Sequence, residues 1–155
     1  MSQTGRIFHI SISKGGVPKH GLYAGDVDTL GVAGDKHRDM VHHGGPDRAV
    51  CLYSLERILA LQAEGNPIFP GSVGENITVT GVDWSSVAPG TVMHLGSQVV
   101  LEVTSYTTPC SNIAPSFADG NSNRIHQNKY DGWSRVYARV LQTGAIQVGD
   151  QVVVE

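Results

Sequence analysis

Cysteine is scarce in this 155-residue chain: Cys51 and Cys110 are the only two. That is too few for the disulfide staples of a small secreted fold or for a zinc site made of thiolates alone, so each thiol has to be read by itself. Charge is also sparse. Charged residues make up 16 % and sum to a net charge of -3, which provides no global field for holding a polyanion by counterion release. Nucleic acid is therefore not the expected partner, although a local basic patch for a small anionic ligand is compatible with this balance. No apolar run approaches the ~18 residues of a membrane span. The opening MSQTGRIFHISIS alternates polar and apolar residues and lacks the apolar h-region of a signal peptide. A soluble, cytoplasmic protein without a membrane association is the expectation. Internal repeats, low-complexity tracts and interdomain linkers are absent too, and one domain over residues 1–155 is expected.

What the chain does have is an ordinary apolar content of 40 % and 19 glycines spread along its length. The glycines separate short alternating or β-branched segments at close intervals, which is the punctuation of an all-β domain. Strands are predicted at Arg6–Ser13, Ala49–Tyr53, Asn76–Thr80, Thr91–Leu95, Val99–Thr104, Trp133–Leu141 and Gln151–Val154. The last two are joined through Thr143–Asp150. One helix is predicted, Leu55–Glu64, with Leu55, Ile58, Leu59 and Gln62 at helical spacing and Ser54 as its N-cap. Gly65, Asn66 and Pro67 stop it. Rolling the strands up removes the exposed edges of an open sheet. The fold class is mainly β, a closed or partly closed β-barrel with one or two short helices. Two long polar segments, Gly15–His43 and Ser111–Gly132, are read as loops, the usual carriers of function.

Cys110 follows Pro109 after the β-rich run VVLEVTSY, so it belongs at a strand exit, presented at a barrel mouth. A functional cysteine offers its sulfur as thiolate, favoured by cations or by backbone N–H groups at a helix start. Ser111–Ile113 offers such a start, and Arg124 and Arg135 are candidate cations downstream. From position alone a reactive thiol and a buried inert one stand level. Cys51, inside the apolar run AVCLY, is read as core.

The segment GDKHRDMVHHGGPDRAV gathers His37, His42 and His43 with Asp35, Asp39 and Asp47 around Gly44 and Gly45. It invites a metal reading but lacks the His-Glu-x-x-His spacing that puts two imidazoles on one helical face. A hydrogen-bonded loop shaping a pocket is favoured, and whether His42 or His43 faces a ligand stays open. In PGSVGENITV, Glu75 and Asn76 sit at a strand start after Gly71 and Gly74. Those glycines allow backbone N–H groups to approach a ligand closely, while the plainer reading is a β-turn with a capping carboxylate.

Taken together and in order, GDKHRDMVHHGGPDRAVCLYS, GSVGENITVTGV, LEVTSYTTPCSNI and WSRVYARVLQTGAIQVGDQVVV resemble the MOSC domain, named for the C-terminal part of molybdenum-cofactor sulfurases. The likeness runs from about Gly5 to Val154 and is nearest to small single-domain members. It implies a β-barrel with a pocket at one end and Cys110 in that pocket. In larger relatives the matching cysteine is a molybdenum ligand of amidoxime-reducing enzymes, sulfurases use the domain to hold cofactor while sulfur is delivered, and other stand-alone members detoxify N-hydroxylated bases. The chain departs from the widespread Pro-Arg-x-Pro-Cys form, carrying Tyr106-Thr107-Thr108-Pro109-Cys110 and so lacking its arginine.

The resemblance implies binding of molybdenum cofactor (molybdopterin), handling of its sulfur, or molybdenum-dependent reduction of N-hydroxylated compounds. Cys110 would be the catalytic thiol, as metal ligand or sulfur carrier. His42, His43, Gly44, Gly45, Glu75 and Asn76 would contact the cofactor by their place in the family blocks, and Lys36, Arg124 and Arg135 by charge. Pyridoxal phosphate belongs to the family's sulfurases. This chain shows no pyridoxal-phosphate domain, [2Fe–2S] cysteine set or flavin domain, so redox or sulfur-donor protein partners are expected. Two alternatives remain: a zinc-dependent hydrolase on His37, His42, His43 and Cys110, with mixed nitrogen and sulfur ligands, and a non-catalytic cofactor-binding module.

Overall fold

The computed structural model describes residues 2–36 and 44–155. His37, Asp39, His42 and His43 lie outside the described residues. The described strands are β1 (Gln3–Ile12), then β2 (His20–Leu22), β3 (Ala24–Asp28), β4 (Gly31–Val32), β5 (Val50–Ser54), β6 (Ile77–Thr80), β7 (Val92–Leu95), β8 (Val99–Tyr106), β9 (Val136–Gln142), β10 (Gly144–Gln147) and β11 (Gln151–Val154), and the seven predicted ones are all among them, most with shifted ends. Three of them, β2 to β4, lie inside the segment read as the loop Gly15–His43, and β10 lies inside Thr143–Asp150. They are short and carry few β-branched residues; β2 pairs the preceding β1 and β4 the preceding β3, while β3 and β10 pair across more than a hundred residues of chain. Period-2 patterning does not reveal strands of that kind.

The main sheet runs β11-β7-β8-β9-β5-β6-β1-β2, and β1 also pairs β11. The seven strands from β11 to β1 thus close into a barrel, and β2 extends from its rim. Closure rests on the length of β1. Its first residues, Gln3–Arg6, pair β11 on one side, whereas Arg6–Ile10 pairs β6 on the other across an irregularity between Ile7 and His9. A bulge at that point adds the bend that a closing strand needs. Gly5 is required there for space, because a Cβ would stand 2.2 Å from the Thr80 carbonyl oxygen.

Among the described strands only β5 and β6 pair in parallel, which demands a crossover, and α1 (Leu55–Ala63) begins it. Ser54 ends β5 and caps α1, its Oγ accepting from the Arg57 N–H at 3.2 Å, a cap worth about 1 kcal/mol. The helix buries Ile58 and Leu61, while Leu59 is 52 % exposed. The expected apolar stripe was therefore out of phase: Leu61, not Leu59 or Gln62, completes the face that meets the barrel. The core inside and around the barrel is built from Ile7, Ile10, Leu52, Tyr53, Ile77, Val79, Met93, Leu95, Leu101 and Val136.

Candidate functional site

Trp133–Arg135, expected to open the last long strand, is not part of it. Each carbonyl along this stretch is taken by a different element. Arg57 Nε donates to the Gly132 oxygen at 3.0 Å, Tyr53 Oη to Trp133 at 2.7 Å, Trp84 Nε1 to Ser134 at 2.7 Å, and the Thr107 N–H to Arg135 at 2.9 Å. With its backbone pinned so completely, the segment has no ladder to join until Val136, and Arg135 is held just before β9. Its side chain points inward and is 5 % exposed. Nη1 donates to the Val73 carbonyl at 2.5 Å, while Nε and Nη2 have no hydrogen-bond partner among the described residues.

Arg135 lines a cavity of about 80 Å³ at one end of the barrel, together with Lys19, Lys36, Cys51, Cys110 and Tyr137. Cys110 reaches it as the sequence suggests. The chain leaves β8 at Tyr106, and Cys110 stands at the N-cap of a 3-10 helix, Ser111–Ser116. Its carbonyl accepts from the Ile113 N–H and from Ser122 Oγ, both at 3.3 Å, and the thiol is half-buried. Cys51 enters the same cavity wall from β5. It is 4 % exposed, its Sγ lies 3.8 Å from Thr107 Oγ1, and burial pushes its pKa up. Burial likewise raises the pKa of the Tyr137 phenol, with Cys51 adding to the effect and Arg135 opposing it.

Glu75 and Asn76 form the layer behind the cavity. Glu75 is fully buried. Its Oε1 accepts from the Gly71 N–H at 3.0 Å, and its Oε2 has no partner. Burial raises its pKa to about 7 against the pull of its own backbone N–H and of Arg135, so near neutrality it is only partly ionised. Gly71 must be glycine: at φ 89° a side chain is strained, and its Cβ would meet the Lys19 carbonyl oxygen and Ser11 Oγ at 2.9 Å. Asn76 ties three segments together. Its Oδ1 accepts from the Cys51 N–H at 2.9 Å, and its Nδ2 donates to Asp35 Oδ2 at 2.8 Å and to the Ser11 carbonyl at 3.2 Å. Asp35 in turn accepts from Lys19 Nζ at 2.7 Å, a pair with side chains 8 % and 1 % exposed.

The structure therefore brings Cys110, Lys36 and Arg135 together and places Glu75 and Asn76 beneath them as support. Gly44 is buried and Gly45 caps the 3-10 turn Pro46–Arg48, and neither lines the cavity. Arg124 points elsewhere. It makes a two-pronged ion pair with Glu64 at 2.7 and 3.0 Å and stacks over the Trp133 and Tyr130 rings at 4.1 and 4.5 Å. Lys19 and Tyr137 are cavity residues that sequence reasoning missed. Lys19 sat unremarked in a polar loop, and Tyr137 looked like an ordinary strand aromatic. Among the described residues no group of three or more histidine, cysteine or acidic side chains is arranged to hold a metal ion, and no helix is long and apolar enough to cross a membrane.

Relatives share this framework. The chain is 33 % identical over 117 residues to the uncharacterized protein YflK of Bacillus subtilis, covering 75 % of this chain and 52 % of that protein. It is 34 % identical over 128 residues to a reductase of Gibberella moniliformis, covering 79 % of this chain and 22 % of the reductase. The chain thus spans about half or less of the curated relatives it matches. The crystal structure of the YuaD protein of Bacillus subtilis superimposes with a TM-score of 0.77 at 21 % identity, covering 99 % of this chain and 96 % of the other, a likeness of fold. The family model of the MOSC domain matches residues 39–153, and with the closed barrel and its cysteine-bearing end this chain belongs to the MOSC domain family.

Proposed function

We propose that the chain, read as one domain, binds molybdenum cofactor or handles its sulfur, with Cys110 as metal ligand or sulfur carrier. The observation that carries this reading is that the Cys110 thiol lines one cavity at an end of the barrel together with the buried Arg135 side chain and Lys36. The donor set fits such a group. A thiolate is a soft, anionic ligand suited to molybdenum and to sulfur alike, and a guanidinium left without its full set of acceptors favours an anionic group beside it.

When bound, the cofactor supplies a metal centre for oxygen- or sulfur-atom chemistry. Cys110 is the one half-exposed thiol of the chain and offers its sulfur at the cavity wall. Arg135 and Lys36 supply positive charge next to it. Lys19, neutralised by Asp35, shapes the wall and adds no net charge. Tyr137 and Cys51 stay protonated there and contribute a low-dielectric lining. The similarity to a fungal reductase supports a redox branch of this reading, in which an external protein partner delivers electrons.

The test is purification of the full chain from cells that make molybdenum cofactor, with elemental analysis for molybdenum and fluorescence of the oxidised pterin. Wild type is expected to carry both, and Cys110→Ser to lose molybdenum. A wild-type chain that carries neither overturns the proposal. Retention of both by Cys110→Ser removes the cysteine from the metal's coordination and leaves a non-catalytic cofactor-binding module.

A further inference from the structure

Behind the cavity, one tight turn holds the segments that build it. Residues 71–74 close on themselves, the Gly74 N–H donating to the Gly71 carbonyl at 3.2 Å, and Val73 and Gly74 form part of the cavity wall. The carbonyls of the turn are taken by chain from elsewhere. The Lys19 N–H donates to Gly71 at 3.0 Å, Ser116 Oγ to Ser72 at 3.4 Å, and Arg135 Nη1 to Val73 at 2.5 Å. Lys19 and Arg135 line the cavity themselves, and Ser116 ends the 3-10 helix that starts after Cys110. Arg135 is tied to the Cys110 segment a second time, because its carbonyl accepts from the Thr107 N–H at 2.9 Å. The turn is a hub through which three walls of the cavity keep their places.

Glu75 fills the inside of this turn. Its carboxyl accepts from the Gly71 N–H at 3.0 Å and is fully buried, with Oε2 unpartnered. A carboxyl so placed suits the closed turn while neutral and opposes it while charged, because burial penalises the anion more than the backbone N–H groups and Arg135 favour it. Hydration relieves the anion, and water reaches it only when the turn opens. Resting on the reading of this cavity as the cofactor site, we propose that Glu75 is its positioning residue: protonated, it keeps the hub closed, and on losing its proton to solvent it loosens the hub and the segments that carry Lys19, Arg135 and Cys110. The other charged and titratable groups around it have separate behaviour. Arg135 is a fixed charge, and Lys19 and Asp35 neutralise each other. Cys51 and Tyr53 on β5 stay protonated, because burial raises the pKa of both. His9 reaches the turn through Ser11, whose Oγ lies 2.7 Å from His9 Nδ1 and packs against Gly71. Burial lowers the pKa of His9, so it needs its own control.

The experiment is amide hydrogen exchange of the full chain, followed residue by residue by NMR from pH 5 to 7.5, each rate divided by its intrinsic base-catalysed rate. The Gly74, Lys19 and Thr107 amides report the hub and the two segments tied to it, and the amides of the β8–β9 ladder report global unfolding. The hub amides should exchange faster than the ladder at every pH. In the closed turn the Glu75 pKa is about 7, and hydrated it returns to the ordinary 4.5. Their opening constant should therefore rise on the order of fiftyfold across this range and level off above about 7. Glu75→Gln should give a flat profile, and His9→Gln the wild-type one. If Glu75→Gln does not fold, the wild-type profile and the His9→Gln control still decide the point. The proposal is overturned by a wild-type rise of less than about threefold, by a rise that His9→Gln abolishes, or by a rise that survives in Glu75→Gln. Equal protection of hub and ladder also overturns it, since only global unfolding then hydrates Glu75. So does a rise at Gly74 without one at Lys19 and Thr107, which leaves a turn that moves alone. The measurement needs no bound cofactor. A chain with the flat profile that carries molybdenum and pterin defeats this inference alone, and a chain with the expected profile that never carries them defeats only the cofactor reading.

Discussion

Cys51 and Cys110 wall the same cavity from two different depths: Cys51 is 4 % exposed with its Sγ against Thr107 Oγ1 at 3.8 Å, whereas Cys110 is half-buried at a strand exit. The pair is an internal control for every statement about the functional thiol. Burial pushes the Cys51 pKa up, and a reagent must reach a sulfur to alkylate it. Timed iodoacetamide labelling near neutral pH with peptide mapping should modify Cys110 first and leave Cys51 intact until the chain is denatured. Equal labelling, or Cys51 ahead of Cys110, removes Cys110 from the functional role.

Glu75 should make stability pH-dependent. In the unfolded chain it ionises near the ordinary carboxyl value of 4.5, and in the folded chain burial pushes its pKa up to about 7. A raised folded-state pKa gives a contribution fully present below 4.5 that declines as pH rises through about 7. At 1.36 kcal/mol for each pKa unit, the change is on the order of 3 kcal/mol. Glu75→Gln keeps an acceptor for Gly71 and cannot ionise, so urea midpoints measured from pH 4.5 to 7.5 should vary less for this variant than for wild type. Parallel pH curves for the two proteins would show that Glu75 is not the group responsible.

Asn76 is buried and its side chain fastens β5, β1 and the Asp35 segment. Asn76→Ala strands the Cys51 N–H and one acceptor site on Asp35 in the interior. A loss of about 3 kcal/mol is expected, read as a lower urea midpoint. A loss under about 1 kcal/mol would mean that water or a neighbouring group restores these bonds.

Arg124 is expected to matter for stability and not for the thiol. Arg124→Ala gives up the Glu64 pair and the stacking on Trp133 and Tyr130, a cost of about 1–2 kcal/mol at this half-buried position. The rate of Cys110 alkylation should be unchanged. A marked change would bring Arg124 back to the cavity.

Local pattern determined a good deal of this protein. Alternating segments punctuated by glycine marked the seven strands that close the barrel, because the inside/outside period of a strand is written in consecutive residues. Ser54 followed by an apolar helical run marked α1, and Pro109-Cys110 after a β-rich run placed a thiol at a strand exit. Tertiary structure alone decided the rest. Strands β2, β3, β4 and β10 are short and have weak patterns of their own, and β3 and β10 exist through each other, distant in sequence. Arg124 and Arg135 are indistinguishable as charges in the sequence. Only folding sends one to Glu64 and Trp133 and seals the other beside Cys110 with two donors unspent, since each guanidinium goes where the surrounding acceptors put it. The same holds for Glu75 and Asn76, adjacent residues at one strand start. Burial made the first a carboxyl held partly neutral and the second a knot between three segments, because the cost of an unpaired polar group depends on what encloses it, and that is decided by chain from elsewhere.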